Sequence, residues 1–209
     1  MPRLPDIPDA SPAPPLLVVL SGPSGVGKTT ALKRLKELNR PWHFVVTATT
    51  RPPRPEERHG VDYIFLDADI FLQMRERDEF IECAQVYDHW YGVPRSQVRP
   101  PLRAGKDVIV AVDVQGAATI RNLAPEAVLI FMLPASFDEL ERRLPKRDTD
   151  TPQDVERRLR AAREEIAQVK LFDYRVINRD NFLDRAIAEI EGIITAEKCR
   201  VVPRLVQLL

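Results

Sequence analysis

Ser21-Gly22-Pro23-Ser24-Gly25-Val26-Gly27-Lys28-Thr29-Thr30 fits the pattern G-x-x-x-x-G-K-[ST], with Gly22, Gly27, Lys28 and Thr29 in the fixed positions. Residues 16–20 (LLVVL) just before it are an unbroken apolar run, as in a strand buried on both faces. After it, Leu32, Leu35 and Leu38 fall on one helical face. Strand, glycine-rich loop and helix N-terminus in that order form a phosphate cradle. Glycines let successive N–H groups curl round an anion with no Cβ in the way, and the helix start adds partial positive charge. In such a loop Lys28 reaches the β- and γ-phosphates and the Thr29 hydroxyl ligates Mg²⁺. A glycine-rich turn before an ordinary helix has no need of Lys-Thr at those places. The stretch predicts a nucleoside triphosphate site built on residues 22–30.

Outward from the loop, strands alternate with helices. Residues 43–48 (HFVVTA) read as a strand, as do the short runs 62–66 and 79–83, with a helix over 67–75 between them. Residues 108–112 (VIVAV) and 127–133 (AVLIFML) are again continuous and apolar, hence buried parallel strands. Ser136-x-x-Glu139 is a capping box opening a helix to about Leu144. Thr151-Pro152 starts another helix, whose stripe is Val155, Leu159, Ala162, Ile166 and Val169. Residues 175–178 form a last strand, and Leu183, Ile187, Ile190 and Ile194 mark a final helix. The expected fold is α/β: a doubly wound parallel sheet of about five strands, with ligands at the carboxyl ends of the strands. Two segments stand outside the alternation, about 47–98 and 137–160. They are expected to cover the phosphate loop and keep water from the γ-phosphate. The core is then 16–46, 99–136 and 161–196.

The 209 residues suit one domain, and 31 basic against 31 acidic residues leave no global field to recruit nucleic acid or an anionic membrane. Two cysteines, Cys83 and Cys199, suggest neither a metal site nor a disulfide framework, which fits a reducing compartment and a cytoplasmic protein. No apolar run is long enough to span a bilayer. Residues 1–15 carry six prolines and read as an extended leader, and the apolar tail 197–209 suits docking on the body or on a second subunit.

A phosphate loop alone leaves ATPase, GTPase, kinase and motor open. Residues 47–63 (TATTRPPRPEERHGVDY) narrow the choice. Arg51 and Arg54 stand three apart on a proline-stiffened loop, with Tyr63 beyond. Two guanidinium forks and a phenol suit a phosphate dianion, so a second phosphate site is expected here. An isolated R-x-x-R would be only a solvated basic loop.

With the phosphate loop, T-T-R-P-P-R-P-x-E-x-x-G-x-D-Y, residues 79–85 (EFIECAQ), Trp90-Tyr91-Gly92, residues 112–116 (VDVQG) and Arg147…Arg158, in this order and spacing, the chain resembles the guanylate kinase family over about 16–194. That resemblance implies transfer of the γ-phosphoryl group of ATP to GMP or dGMP, with Mg²⁺, giving ADP and GDP. It implies that Arg51, Arg54, Tyr63 and Tyr91 hold the GMP phosphate and that Glu57 also belongs to the GMP site. It places Thr47, Glu82 and Asp113 at the guanine and Asn178 at adenine. Arg147 and Arg158 become lid arginines, catalytic with Lys28 and Arg54. A carboxylate at 82 can accept from N1–H and the exocyclic amine of guanine together, a pattern adenine lacks. Asp113 also follows an apolar strand, where a carboxylate helps hold Mg²⁺ directly or through water. A helix N-cap is compatible with either role.

Three departures from the family's pattern stand out: Val93 for Ser or Thr, Ala111 for Asp, and Lys146 and Asp148 in place of the glycines flanking Arg147. The first two remove polar contacts of about 1 kcal/mol each, so a weaker grip on GMP is expected. Inactive, partner-binding domains of this type typically lose the loop lysine or the lid arginines, which this chain keeps. A kinase for another phosphorylated acceptor is the remaining alternative, against which Glu82 and the complete T-T-R-P-P-R run weigh.

Overall fold

The apolar run before the phosphate loop becomes β1 (Leu17–Ser21), buried at every residue because parallel strands flank it on both sides. The computed structural model describes residues 12–86, 88–144 and 152–207, the side chains of 152–155 excepted. In chain order there follow α1 (Lys28–Glu37), β2 (His43–Phe44), β3 (Ala48–Thr49), β4 (Ile64–Phe65), α2 (Ala68–Glu76), β5 (Phe80–Val86), β6 (His89–Pro94) and α3 (Arg95–Arg103). Then come β7 (Val108–Ala111), α4 (Val114–Leu123), β8 (Val128–Pro134), α5 (Phe137–Arg143), α6 (Pro152–Ala167), β9 (Tyr174–Asn178) and α7 (Leu183–Lys198).

One sheet has five strands, all parallel, in the order β2-β7-β1-β8-β9. Strand alternation sends Leu16, Val18 and Leu20 to a core cluster with α1 and α7, and Leu17 and Val19 to a second cluster with Val98, Ala117 and Ile120. Both faces are covered by helices, so the expected α/β architecture is the one observed. Because the strands are parallel, the carboxyl ends of β1, β7, β8 and β9 share one edge, and β1 lies between β7 and β8. The phosphate loop leaves from that edge.

The second sheet, β4-β3-β6-β5, is built from chain inserted between β2 and β7. It packs on α2 through Ala48, Phe71 and Phe80, the two rings stacked with centroids 4.5 Å apart. Here the sequence reading needs correcting. Residues 43–48 are not one strand: His43 and Phe44 pair with β7, while Ala48 and Thr49 pair with β6 and β4. Val45 N–H still bonds to the Ile109 carbonyl at 2.9 Å before the chain crosses to the other sheet. The apolar run thus serves two sheets. β6 and α3 were not foreseen either. Pro100 and Pro101 lie inside α3 and conceal it from any helix pattern.

The capping box is half formed. Ser136 Oγ accepts from Glu139 N–H at 3.1 Å, but the Glu139 carboxylate turns instead to Arg143 and the Asp180 N–H. Thr151, read as the N-cap of α6, lies outside the described residues, as do residues 1–11 of the leader; of the stripe, Ala162 is fully buried and Leu159, Ile166 and Val169 are partly so.

The tail after α7 returns to the body. Arg204 pairs with Glu197, whose side chain is 1% exposed, at 2.8 Å, and Tyr174 donates to the same carboxylate at 2.5 Å. Val206 packs on the second core cluster. Removing one partner of a buried ion pair strands the other charge. Arg204→Ala is therefore expected to lower unfolding free energy by about 3 kcal/mol in urea denaturation at pH 7.

Candidate active site

Each glycine of the phosphate loop has a visible reason. Gly22 has φ 142°, and a Cβ there would lie 2.3 Å from the Met132 carbonyl oxygen of β8. Gly27 has φ 99°, and its Cβ would fall 2.6 Å from Nδ2 of Asn178. Gly25 has φ 82° and packs beneath Leu144 and Leu140 of α5. Asn178 is buried at the end of β9 and donates to the Val26 carbonyl at 2.8 Å. Its amide nitrogen braces the loop from behind, while the residue also lines a cavity of about 340 Å³ with Thr30, Arg143 and Asp180.

Lys28 begins α1 and folds back to donate to the Pro23 carbonyl at 3.2 Å and to that of Gly22. Burial lowers its pKa, opposed by the nearby charges of Glu165 and Asp113. Burial likewise raises the pKa of Glu165, against the pull of Lys28. Glu165 was missed in the sequence. It lies seven residues from Arg158 on α6, two helical turns along the same face. Arg158 is half-buried, and Glu165 on that face interacts with Lys28 and the Ser24 backbone of the loop; Arg147 lies outside the described residues.

Opposite the loop, Thr47, Tyr63, Glu82, Tyr91 and Asp113 come together with Lys28 and Thr29 around a cavity of about 190 Å³. Arg54, Glu57, Lys33 and Lys36 line an adjoining cavity of about 510 Å³, which shares Thr29, Thr47, Tyr63 and Ala111 with the first. Tyr63 and Tyr91 meet edge to face, 6.3 Å between centroids, and the Arg51 guanidinium lies 5.4 Å over the Tyr63 ring. Glu57 ties this loop together. One oxygen takes Arg51 Nη2 at 2.9 Å and the other takes the Arg54 N–H at 2.8 Å. Burial alone would lower the Arg51 pKa, but the bonds to Glu57 and Tyr91 outweigh it and raise it. Glu57 thus holds the Arg51 guanidinium and the Arg54 backbone while also lining the larger cavity. Asp113 caps α4 by accepting the Gly116 N–H at 2.7 Å, so the N-cap reading holds beside whichever ligand role it has.

Sequence comparison matches residues 15–197 to the family described as guanylate kinase. A guanylate kinase of Caldanaerobacter subterraneus subsp. tengcongensis is 45% identical over 186 residues, 89% of each chain. The chain belongs to the guanylate kinase family. Guanylate kinase 2, chloroplastic/mitochondrial, of Oryza sativa subsp. japonica is 43% identical over 96% of this chain and 71% of its own length. Among solved structures, the guanylate kinase of Anaplasma phagocytophilum superposes with a TM-score of 0.77 at 31% identity, covering 91% of this chain and 89% of that one.

Two departures from the guanylate kinase pattern can now be judged. Val93 is fully buried in the second core cluster with Ile81 and Val98 and is not part of the cavity wall, so packing absorbs its missing hydroxyl. Ala111 does line both cavities, where a longer polar side chain would project. Among the described residues no three His, Cys, Asp or Glu side chains gather as a metal cluster. One carboxylate and one hydroxyl, Asp113 and Thr29, fit the sparse protein ligation of an Mg²⁺ that keeps its waters and is shared with phosphates. No helix among the described residues is long and apolar enough to cross a membrane.

Glu82 is 8% exposed, and its carboxylate packs against the backbone of Gly116. Burial, with the nearby Asp113 charge, pushes its pKa up to about 8. A proton bound more tightly in the folded state favours folding at low pH, and that contribution is lost as pH rises from the unfolded value of 4.5 to about 8. Glu82→Gln removes the penalty. In parallel urea titrations the variant should gain stability relative to wild type across that window and hold the gain above it.

Proposed function

We propose that this guanylate kinase transfers the γ-phosphoryl group of ATP to GMP or dGMP, with residues 47–98 as the acceptor subdomain and 137–160 as the lid, in the purine nucleotide metabolism of the cytoplasm. One observation supports it above the rest. A single cavity is walled by Lys28 and Thr29 of the donor loop and by Thr47, Tyr63, Glu82, Tyr91 and Asp113 from the other side. Donor and acceptor groups therefore converge on one space, as in-line displacement requires.

The loop amides, Lys28 and Thr30 hold the donor phosphates. Lys28 exchanges the carbonyls of Gly22 and Pro23 for phosphate oxygens, and it follows the phosphoryl group as it moves. Arg51, Arg54, Tyr63 and Tyr91 hold the acceptor phosphate. Glu82 accepts from the Watson–Crick edge of guanine, with Thr47 and Asp113 completing the base site, and Asn178 stands on the adenine side. Mg²⁺, held by Thr29 and by Asp113 directly or through water, supplies neutralising charge to the donor phosphates. An acceptor phosphate oxygen forms the new bond to the γ-phosphorus as the bond to the β–γ bridging oxygen breaks, and ADP leaves. The acceptor is already ionised, so no general base is needed. Arg147 and Arg158 close over the equatorial oxygens, where one well-placed arginine contributes about 10³ in rate.

A coupled assay of ADP release should show turnover with GMP and dGMP and none with AMP, CMP or no acceptor. Lys28→Ala should abolish it. No GMP-dependent turnover in the wild type would overturn the reading. Because Glu82 must be ionised to accept from guanine, KM for GMP should fall as pH rises toward about 8, and Glu82→Gln should raise KM and flatten the dependence.

A further inference from the structure

Glu139 is a carboxylate with almost no access to solvent, its side chain 7% exposed, in a helix whose Asp138, Glu141 and Arg142 are exposed. The proposed chemistry makes no use of it. It accepts from the Arg143 guanidinium one turn on and from the Asp180 N–H just past β9. Arg143, 17% exposed, reaches Asp180 Oδ1 at 2.7 Å with Nε and leans toward the Val26 carbonyl at 3.4 Å with Nη1. That same carbonyl takes the Asn178 amide at 2.8 Å. On the same side of α5, Leu140 and Leu144 lie against Gly25. Three pieces of chain distant in sequence, the phosphate loop, α5 and the turn after β9, are thus fastened at one point. The 340 Å³ cavity beside the donor loop is walled by parts of all three.

We propose that Glu139 is a positioning residue for the nucleotide donor. It fixes Arg143 and the 178–180 turn against the Val26 carbonyl and so sets the donor cavity before ATP arrives. The assignment rests on the donor loop being the ATP site, as proposed above. Two features favour positioning over simple cohesion. A buried carboxylate is costly unless several donors converge on it, so an apolar residue would serve packing alone at least as well. The groups it restrains, moreover, are themselves walls of the donor cavity, whereas the acceptor cavity contains none of them.

The test is a comparison of steady-state constants for Glu139→Gln, Arg143→Met and the double variant, with thermal melts of each, after wild-type turnover with ATP and GMP has been measured. Absent wild-type turnover would sink the functional reading itself and is recognised at that step. With turnover present, Glu139→Gln should raise KM for ATP about tenfold, the worth of one charge-assisted hydrogen bond, and leave KM for GMP within about twofold. Since Glu139 acts through Arg143, the double variant should be no worse for ATP than Arg143→Met alone. It also removes both charges together, so it keeps the comparison interpretable if the single variant folds poorly. The proposal is overturned by KM values for ATP and GMP that rise together, by a lowered melting temperature with KM for ATP unchanged, or by additive effects in the double variant.

Discussion

At Gly22 the chain leaves β1 and passes so close to the β8 backbone that a single methyl group would strike the Met132 carbonyl oxygen at 2.3 Å. Everything at the site depends on this approach. It lets the loop turn back over the sheet edge within a few residues, with Gly25 and Gly27 also at positive φ. That turn puts the start of α1 where the carboxyl ends of β7 and β9 can face it. Asp113 follows the end of β7, and Asn178 ends β9. The loop is then secured from outside, by Asn178 on the Val26 carbonyl and by α5 on Gly25. A phosphate cradle must be rigid before it is occupied, since backbone amides that first had to be ordered would spend binding energy on ordering.

The charges of the site are held in an uneasy balance. Burial lowers the pKa of Lys28 and raises those of Glu82 and Glu165, so each group is pressed toward its neutral form. Such a set is poorly satisfied by itself and well satisfied by a ligand that brings phosphate charge to the lysine and N–H donors to the carboxylate. Around Arg51 the charge is already balanced. Glu57 pairs with its guanidinium while accepting the Arg54 N–H, and the Tyr63 ring lies under the guanidinium.

Much of this was legible in the chain, and for definite reasons. The doubly wound sheet could be read because buried parallel strands leave unbroken apolar runs at 16–20, 108–112 and 127–133. Thr47, Tyr63, Glu82, Tyr91 and Asp113 could be picked out because their spacing matches a family pattern, and they line one cavity, while Arg54 and Glu57 line the adjoining one. What stayed hidden depends on tertiary contact. The division of 43–48 between two sheets leaves no mark in an apolar run. α3 carries two prolines that a tertiary setting tolerates. Glu139 offered a standard capping signature and uses its carboxylate elsewhere, and the bonds from Glu57 to Arg51 and the Arg54 N–H leave no mark in the spacing. Glu165 alone had a signal available, its seven-residue offset from Arg158 on one helix.

The crossing between the two sheets at residues 45–47 bears on how firmly the second sheet is held to the first. The outward stem passes Val45 and the returning stem passes Val98, and both belong to the same apolar cluster beneath the main sheet. Gln97 of the returning stem also reaches the Val46 N–H of the outward one, at 3.5 Å. The second sheet is thus held by its two stems and, through Ile81 and Val93, by its own strands in the same cluster. The two sheets share one core, so a void opened in that cluster would loosen both at once.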